Sequence, residues 1–243
     1  MHLDTDAILV AVLHHGEHGA IVRTLTPHDG IQAGYVRGGR SRQLRPVLIP
    51  GNIVAARYRS RGDTQLAQLS VELVRSRAPL HGDPLAAAAI EWTCALAAAA
   101  LPEAQSYPAI HAGLDGVLGA IESAPRAQGW AAALVRYELL LLAELGFGIA
   151  LDRCVVTGAT DDLVALSPRS GGAVSAAAAQ GYSDRLLRLP GFLVVGGTAD
   201  WPDILDGLAI TGHFLARDIL IERRADLLAA RERLVERLRK VLA

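Results

Sequence analysis

The chain has 243 residues, of which 51% are hydrophobic and 20% charged, with a formal net charge of −1 at pH 7. This length suits one large domain or two smaller ones. The unbroken aliphatic runs are far shorter than the roughly 20 residues that a membrane-spanning helix needs. The composition therefore excludes a membrane-spanning protein, and we expect a soluble one.

The N-terminal sequence MHLDTDAILVAVLHHGE has two acidic residues ahead of its apolar run and no positively charged region. We therefore expect no secretory signal. Two cysteines, Cys94 and Cys154, are too few for a disulfide framework. A reducing cytoplasm is the expected location, with no membrane partner.

The charge is unevenly distributed along the chain. Residues 1–78 carry ten arginines against six acidic residues, a net charge of +4, whereas residues 79–243 carry 14 basic against 19 acidic residues, a net charge of −5. Lys240 is the single lysine, so a preference for arginine over lysine runs through the whole chain and is not by itself an indication of function. For this reason only clustered arginines count as an indication of a binding surface.

Residues 1–78 have the pattern of a small β-barrel. Five short strand-like segments are separated by glycine- and proline-containing turns, and no segment has helical length and period, which favours a closed sheet. We place the domain boundary at residue 79, with a barrel in residues 1–78 and a helical domain in 79–243. The candidate strands are 6–13, 20–25, 31–37, 52–59 and 65–74.

Arginines cluster on this barrel. Alternation in the fourth strand places Arg57 and Arg59 on one face and Tyr58 on the core face. The loop sequence RGGRSRQLR adds four more arginines. Such a surface on a five-stranded barrel resembles that of an OB-fold, whose usual ligand is an oligonucleotide; the alternative is an arginine-rich loop that only aids solubility. The candidate DNA contacts are Tyr35, Arg37, Arg40, Arg42, Arg45, Arg57, Arg59 and Arg61.

Three histidines, His14, His15 and His18, lie close together at the first turn. Apart from Glu17 in the same tight turn, no carboxylate or cysteine completes a set of metal ligands. We therefore interpret them as loop histidines at the mouth of the barrel, and we expect no metal there.

From residue 79 onward the sequence is alanine-rich and mostly helical. Asp83-Pro84 is an N-cap followed by a first-turn proline, and an apolar helix at 130–145 is predicted to be central because it is apolar nearly all round. The last helix is predicted to be amphipathic, with arginines including Arg231 in solvent and leucines facing the body. The remaining helices are predicted at 84–100, 108–121, 204–222 and 225–241.

No enzyme motif is present. The chain lacks Gly-x4-Gly-Lys-Ser/Thr, Gly-x-Ser-x-Gly and His-Glu-x2-His sequences. Asp161-Asp162 is typical of a turn, and Cys94 of a buried core position. A hydrolase has no support in these residues.

Residues 151–178 have the spacing of a zinc ribbon. Cys154-x2-Thr157, 17 intervening residues and Ser175-x2-Ala178 match the frame of four zinc cysteines with three of the thiolates missing. Zinc needs four donors for a closed site, so we expect no zinc. The alternative, that the frame is accidental, stays open at this point.

Several motifs in order resemble those of the bacterial RecO recombination mediators. They are VRGGRSR at 36–42, PG at 50–51, RYELLLLAELGFGIALDRC at 136–154, TG at 157–158, SPRSGGAVS at 167–175 and LLRLPGFL at 186–193.

The resemblance implies an α+β protein: an N-terminal five-stranded OB-fold barrel followed by a mainly α-helical domain with a degenerate, metal-free zinc-ribbon-like hairpin. It also implies a non-enzymatic DNA-repair protein, without cofactors, that binds single- and double-stranded DNA and anneals strands at the nucleoid. The implied partners are RecR, the acidic C-terminal tail of the single-strand-binding protein and, indirectly, RecA.

Two arginines outside the barrel are candidate partner contacts. Arg136 lies in the RYELLLL motif, where a cation beside an apolar groove would suit an acidic tail with hydrophobic end residues. The alternative for Arg136 is a helix-surface ion pair. Arg169, in SPRSGG, would face either DNA or solvent. For the whole chain, the competing class of function is a helical scaffold whose barrel docks a protein partner.

Overall fold

The protein is described from a computed structural model, and the described residues are 2–60, 62, 65–124, 126–221 and 225–241. The chain folds into two compact units, Met1–Ser123 and Ala124–Ala243. None of the helices in these ranges combines the length and the apolar character that crossing a bilayer requires.

The first unit begins with a closed five-stranded barrel whose strand order is β1-β2-β3-β5-β4. Neighbouring strands are antiparallel except for a short parallel pairing of β3 with β5. The predicted closed barrel is therefore confirmed, and β1 is longer than expected at both ends. The strands are β1 (His2–His15), β2 (Gly19–Thr26), β3 (Gly30–Val36), β4 (Ile53–Arg59) and β5 (Ala67–Arg75).

Alternation of side chains fills the barrel. In β4, Val54, Ala56 and Tyr58 are buried, while Arg57 and Arg59 are exposed, as the period of two predicts. The hydroxyl groups of Tyr58 and Thr24 lie 2.8 Å apart in the core and share a hydrogen bond. Burial raises the pKa of Tyr58 to about 12.

Two helices complete the first unit, α1 (Pro84–Ala100) and α2 (Pro108–Ser123), and α1 packs against β1 and β2. Asp83 caps α1 as predicted, because its carboxylate accepts hydrogen bonds from the N–H groups of Leu85 and Ala86. The barrel and these two helices thus belong to one compact unit. A domain boundary at residue 79 stays a prediction.

Arg77 is a buried cation inside the first unit. Its guanidinium donates to the carbonyl of Gly51 at 2.6 Å and to Asp115 at 2.9 Å, and its backbone N–H donates to Asn52 Oδ1 at 2.8 Å. Nε lies 3.5 Å from a carboxylate oxygen of Glu122. One side chain therefore joins the end of β5 to the loop before β4 and to α2.

The second unit combines a small sheet with helices. Its four strands have the order β6-β8-β7-β9. The ribbon-like segment is thus larger than the predicted hairpin, since β9 adds a strand at its edge. The elements are α3 (Ala127–Glu144), β6 (Ala150–Cys154), β7 (Leu163–Leu166), β8 (Gly172–Ser175), α4 (Ala176–Ala179), β9 (Leu187–Arg188), α5 (Trp201–Phe214) and α6 (Ala225–Lys240).

Two sequence expectations change in these helices. The α-helix α5 ends at Phe214 and continues as a wider π-helical segment, Leu215–Ile219, whereas an uninterrupted helix to 222 was expected. Arg231 of α6 is 6% exposed and not solvated, although Leu234 and Leu238 are buried as predicted. The reason is its spacing, because Arg231 lies three and seven positions before these leucines and so on the same helix face.

Candidate functional site

The connection between β3 and β4 presents a row of arginines, Arg37, Arg40, Arg42 and Arg45, which we call the arginine loop. Leu48, beyond its end, is buried in the barrel core, and Leu44 and Val47 pack against that core. A turn-like hydrogen bond from Arg45 N–H to the Ser41 carbonyl, at 3.0 Å, shapes the segment between them. The apolar side of this connection anchors it, and all four arginines are exposed to solvent.

The arginine loop contacts the turn between β1 and β2 through backbone groups. The Arg40 N–H donates to the His18 carbonyl at 3.4 Å, and its guanidinium donates to the Glu17 carbonyl at 3.3 Å. Neither contact uses a carboxylate, so the positive charge of Arg40 is not neutralised by them. Loop and turn therefore form one continuous surface at this end of the barrel.

The strand arginines have carboxylate partners. Arg57 pairs with Glu72 at 3.1 Å, and Arg59 binds both carboxylate oxygens of Asp4, at 2.7 and 3.2 Å. The hydrogen bond from Arg59 lowers the pKa of Asp4. Arg61 lies outside the described residues.

The arginine loop differs in this respect. Among the described residues, no carboxylate forms an ion pair with Arg37, Arg40, Arg42 or Arg45. The predicted DNA-contact arginines that the structure describes therefore fall into two groups. The four loop arginines have no carboxylate partner among the described residues, and the two strand arginines each have one. Tyr35 lies on β3, two residues before Arg37, and is half-buried.

In the second unit, Arg136 of α3 lies at the edge of an apolar groove with a volume of about 400 Å³. The Arg136 guanidinium lies over the ring of Phe192, 5.3 Å from its centroid, and donates to the Gly197 carbonyl at 2.7 Å. No described carboxylate pairs with it. The groove is lined by Arg136, Leu139, Leu140, Ala143, Ile149, Leu151, Phe192, Leu193 and Gly196.

An apolar groove beside Arg136 was expected from the sequence, but the residues that line it were not. Leu139 and Leu140 are partly exposed because they line the groove. Their position off the main apolar stripe was the available signal. A second pocket, of about 410 Å³, lies on the other side of Arg136 and includes Arg126.

Arg169 lies elsewhere in the second unit, in the turn between β7 and β8. Its carbonyl accepts a hydrogen bond from Arg217 Nη1 at 3.0 Å, and its side chain is exposed. It does not line the groove of Arg136. The two predicted partner contacts are therefore not brought together in one described pocket.

The ribbon frame converges in space. Cys154 Sγ accepts hydrogen bonds from the N–H of Ser175, at 3.3 Å, and from its hydroxyl, at 3.5 Å. Hydrogen bonds from Ser175 and Thr157 lower the pKa of the Cys154 thiol to about 6, against the opposing effect of burial. Ala178 packs on the same cluster. The four frame positions are thus neighbours, which favours a true ribbon over an accidental spacing.

The donors at this frame do not fit zinc. One thiolate with a serine, a threonine and an alanine lacks the four ligands that a closed structural site requires. Within the residues that the structure describes, no cluster of three or more histidine, cysteine or acidic side chains is placed to hold a metal. Cys94 is buried in α1, and burial raises the pKa of its thiol to about 12.

Comparison with known proteins agrees with this architecture. The family described as "Recombination protein O N terminal" matches residues 1–77, and the family described as "Recombination protein O C terminal" matches residues 81–226. The chain belongs to the RecO family.

RecO relatives are similar to the chain over nearly its whole length. Each of the following is named DNA repair protein RecO. The relative from Rhodospirillum centenum is 45% identical over 99% of this chain and 96% of its own length. The relative from Phenylobacterium zucineum is 44% identical over 98% of both chains, and that from Caulobacter vibrioides is 41% identical over 98% of both. The chain is therefore a DNA-repair protein of the RecO family, with an OB-fold barrel followed by helices.

Proposed function

We propose that this chain is a non-enzymatic recombination mediator that binds single- and double-stranded DNA through the arginine loop. In this proposal the bound strands are annealed and, together with RecR and the single-strand-binding protein, prepared for RecA loading at the nucleoid of the cytoplasm. No covalent chemistry is required of the protein. The observation that supports this proposal most directly is that the four loop arginines are exposed and have no carboxylate partner among the described residues.

Unpaired arginines suit phosphate binding for a physical reason. A guanidinium offers a planar fork of N–H donors that matches two phosphate oxygens, and binding releases the counterions condensed on DNA. A paired arginine has to lose its carboxylate first. Arg57 and Arg59 are therefore expected to contribute less than Arg37, Arg40 and Arg42, and Arg45 extends the same surface.

The first prediction concerns the arginine loop. Replacing Arg37, Arg40 and Arg42 together with alanine is expected to weaken binding of labelled single-stranded DNA. The slope of log affinity against log salt is expected to decrease by about 2, since each lost single-strand phosphate contact contributes about 0.7. Fluorescence anisotropy between low and moderate salt measures both quantities.

A charge-matched control is available in the second unit, where Arg185, Arg233 and Arg237 are exposed. Replacing these three with alanine is expected to leave the salt slope nearly unchanged. If both triple variants lose the same affinity, the effect is one of net charge and the loop is not the site. If the loop variant binds as the original chain does, the competing function is favoured, in which the barrel docks a protein partner.

Partner binding is proposed for the groove of Arg136. The groove has apolar walls and one cation at its edge, which is the arrangement that an acidic peptide with hydrophobic end residues requires. We propose the C-terminal tail of the single-strand-binding protein as this peptide. Arg169 is proposed as a separate contact, outside the groove, for DNA or for a partner.

The second prediction tests the groove. Changing Arg136 to Glu is expected to lower the affinity for the isolated tail peptide about tenfold or more, since it removes a charge-assisted hydrogen bond and adds a repulsive charge. Affinity for single-stranded DNA is expected to stay within about twofold. The same change at Arg153, an exposed arginine outside the groove, is the control. Unaltered peptide binding by the Arg136 variant would remove Arg136 from the site.

A further inference from the structure

The side chain of Tyr35 crosses a gap in the outer face of the barrel. Gly19 on β2 has no side chain, and a Cβ atom built there would lie 2.3 Å from the Tyr35 hydroxyl oxygen and 2.4 Å from a ring carbon. The tip of the tyrosine ring therefore rests directly on the β2 backbone. Any residue larger than glycine at position 19 would push this ring away.

On the far side of Gly19, the ring of Tyr35 meets the ring of His15. Their centroids are 6.1 Å apart and their planes are at 84°, an edge-to-face arrangement. His15 is the pairing partner of Gly19 across β1 and β2, so it lies on the same outer face. The histidine is exposed and the tyrosine half-buried, which leaves ring surface open to solvent.

The surface around the His15–Tyr35 pair includes an exposed apolar side chain as well as the arginine loop. Leu13, Ile21 and Tyr35 are aligned across β1, β2 and β3, and Leu13 is 58% exposed. Tyr35 lies two residues before Arg37 of the arginine loop, and Arg40 of this loop is hydrogen-bonded to the β1–β2 turn. The solvent-exposed ring surface of His15 and Tyr35 therefore lies near arginines that are available to bind phosphates.

We propose that His15 and Tyr35 form a two-ring platform on which the bases of single-stranded nucleic acid stack while the arginine loop holds the phosphates. The proposal rests on the proposed function and adds to it the means of recognising unpaired bases. Stacking on aromatic rings accepts every base and requires that the base be unstacked from a duplex. His15 becomes a binding residue, and Gly19 becomes the residue that allows the two rings to meet.

The test compares two labelled oligonucleotides with the same number of phosphates. One is a run of 20 thymidines and the other has the same backbone with abasic sites in place of the bases. Tyr35→Ala is expected to weaken binding of the thymidine strand at least about fivefold, because each stacked base contributes at least that factor. His15→Ala is likewise expected to weaken it about fivefold. Binding of the abasic strand is expected to change less than about twofold.

Matched variants distinguish stacking from a structural role. His14 is the neighbouring exposed histidine, but it pairs with Ala20, whose side chain faces the core, so His14→Ala is expected to behave as the unaltered chain. Tyr35→Phe keeps the ring and is expected to retain thymidine binding. Gly19→Ala displaces the ring and is expected to reproduce the selective loss of Tyr35→Ala.

The platform is overturned if Tyr35→Ala and His15→Ala weaken both strands equally, or if neither strand is affected. A lower melting temperature without a selective loss for thymidine also overturns it, because the ring pair would then only stabilise the turn. Failure of the proposed function is a different result, in which the triple arginine-loop variant retains the salt slope and affinity of the original chain.

Discussion

Replacing Glu138 with alanine is expected to lower the free energy of unfolding by about 3–5 kcal/mol, because it leaves the buried Arg231 guanidinium without its carboxylate. In the second unit, Arg231 Nε and Nη2 donate to the two carboxylate oxygens of Glu138 at 2.9 and 2.7 Å. The side chains are 7% and 0% exposed. Thr211 also donates to this carboxylate.

The network around Glu138 joins three helices, and the size of the expected effect comes from the buried charge that remains when one partner is removed. Glu138 belongs to α3, Thr211 to α5 and Arg231 to α6, and Arg231 also donates to the Leu208 carbonyl at 2.8 Å. Breaking one partner of a buried pair costs far more than the pair contributes, since the remaining charge has lost its water. Urea denaturation of the full chain, followed by circular dichroism and tryptophan fluorescence, measures the loss.

Two comparisons make this prediction specific. Arg239 pairs with Glu236 on the same helix, with both side chains more than half exposed, so Arg239→Ala is expected to cost less than about 1 kcal/mol. Combining Glu138→Leu with Arg231→Met removes both charges and is expected to recover much of the stability lost in Glu138→Ala. A Glu138→Ala variant as stable as Arg239→Ala would contradict the assigned role of the network.

The second large effect is expected in the first unit, where Arg77→Ala should lower stability by about 3 kcal/mol. The Arg77 side chain is wholly buried. Its removal leaves the Gly51 carbonyl without its donor, opens a cavity between barrel and α2, and frees Asp115. Hydrogen exchange of the backbone amides in β4 and β5 is expected to become faster. Mass spectrometry of peptides from the first unit measures these exchange rates separately from those of the second unit.

Arg75 supplies the control because, like Arg77, it contacts the carboxylate of Glu122. Arg75 lies 2.7 Å from Glu122, but its side chain is 49% exposed, so Arg75→Ala is expected to cost less than about 1 kcal/mol. Arg77→Lys keeps the charge and loses the planar fork, and an intermediate loss is expected. Equal exchange rates in the Arg75 and Arg77 variants would show that burial of Arg77 does not stabilise the unit.

Local patterns in the sequence predicted most of the fold. The barrel was predictable because a strand with one buried face has a period of two, as Val54, Ala56 and Tyr58 show against Arg57 and Arg59. The start of α1 was predictable because Asp83 and Pro84 are chemically suited to the first turn. The ribbon frame was predictable because Cys154, Thr157, Ser175 and Ala178 have the spacing of four zinc-ribbon ligands.

The sequence alone indicated the family, the closed barrel, the cluster of arginines and the ribbon frame, because each of these leaves a local pattern or a fixed spacing along the chain. Only the tertiary structure decided which charges are available. Arg231 meets Glu138 across 93 positions, Arg59 meets Asp4 across 55, and His15 reaches Tyr35 over Gly19. Such pairs depend on strand register and helix packing, so no local period encodes them. Among the barrel arginines that the structure describes, Arg23, Arg57, Arg59 and Arg75 have carboxylate partners, and those of the arginine loop do not.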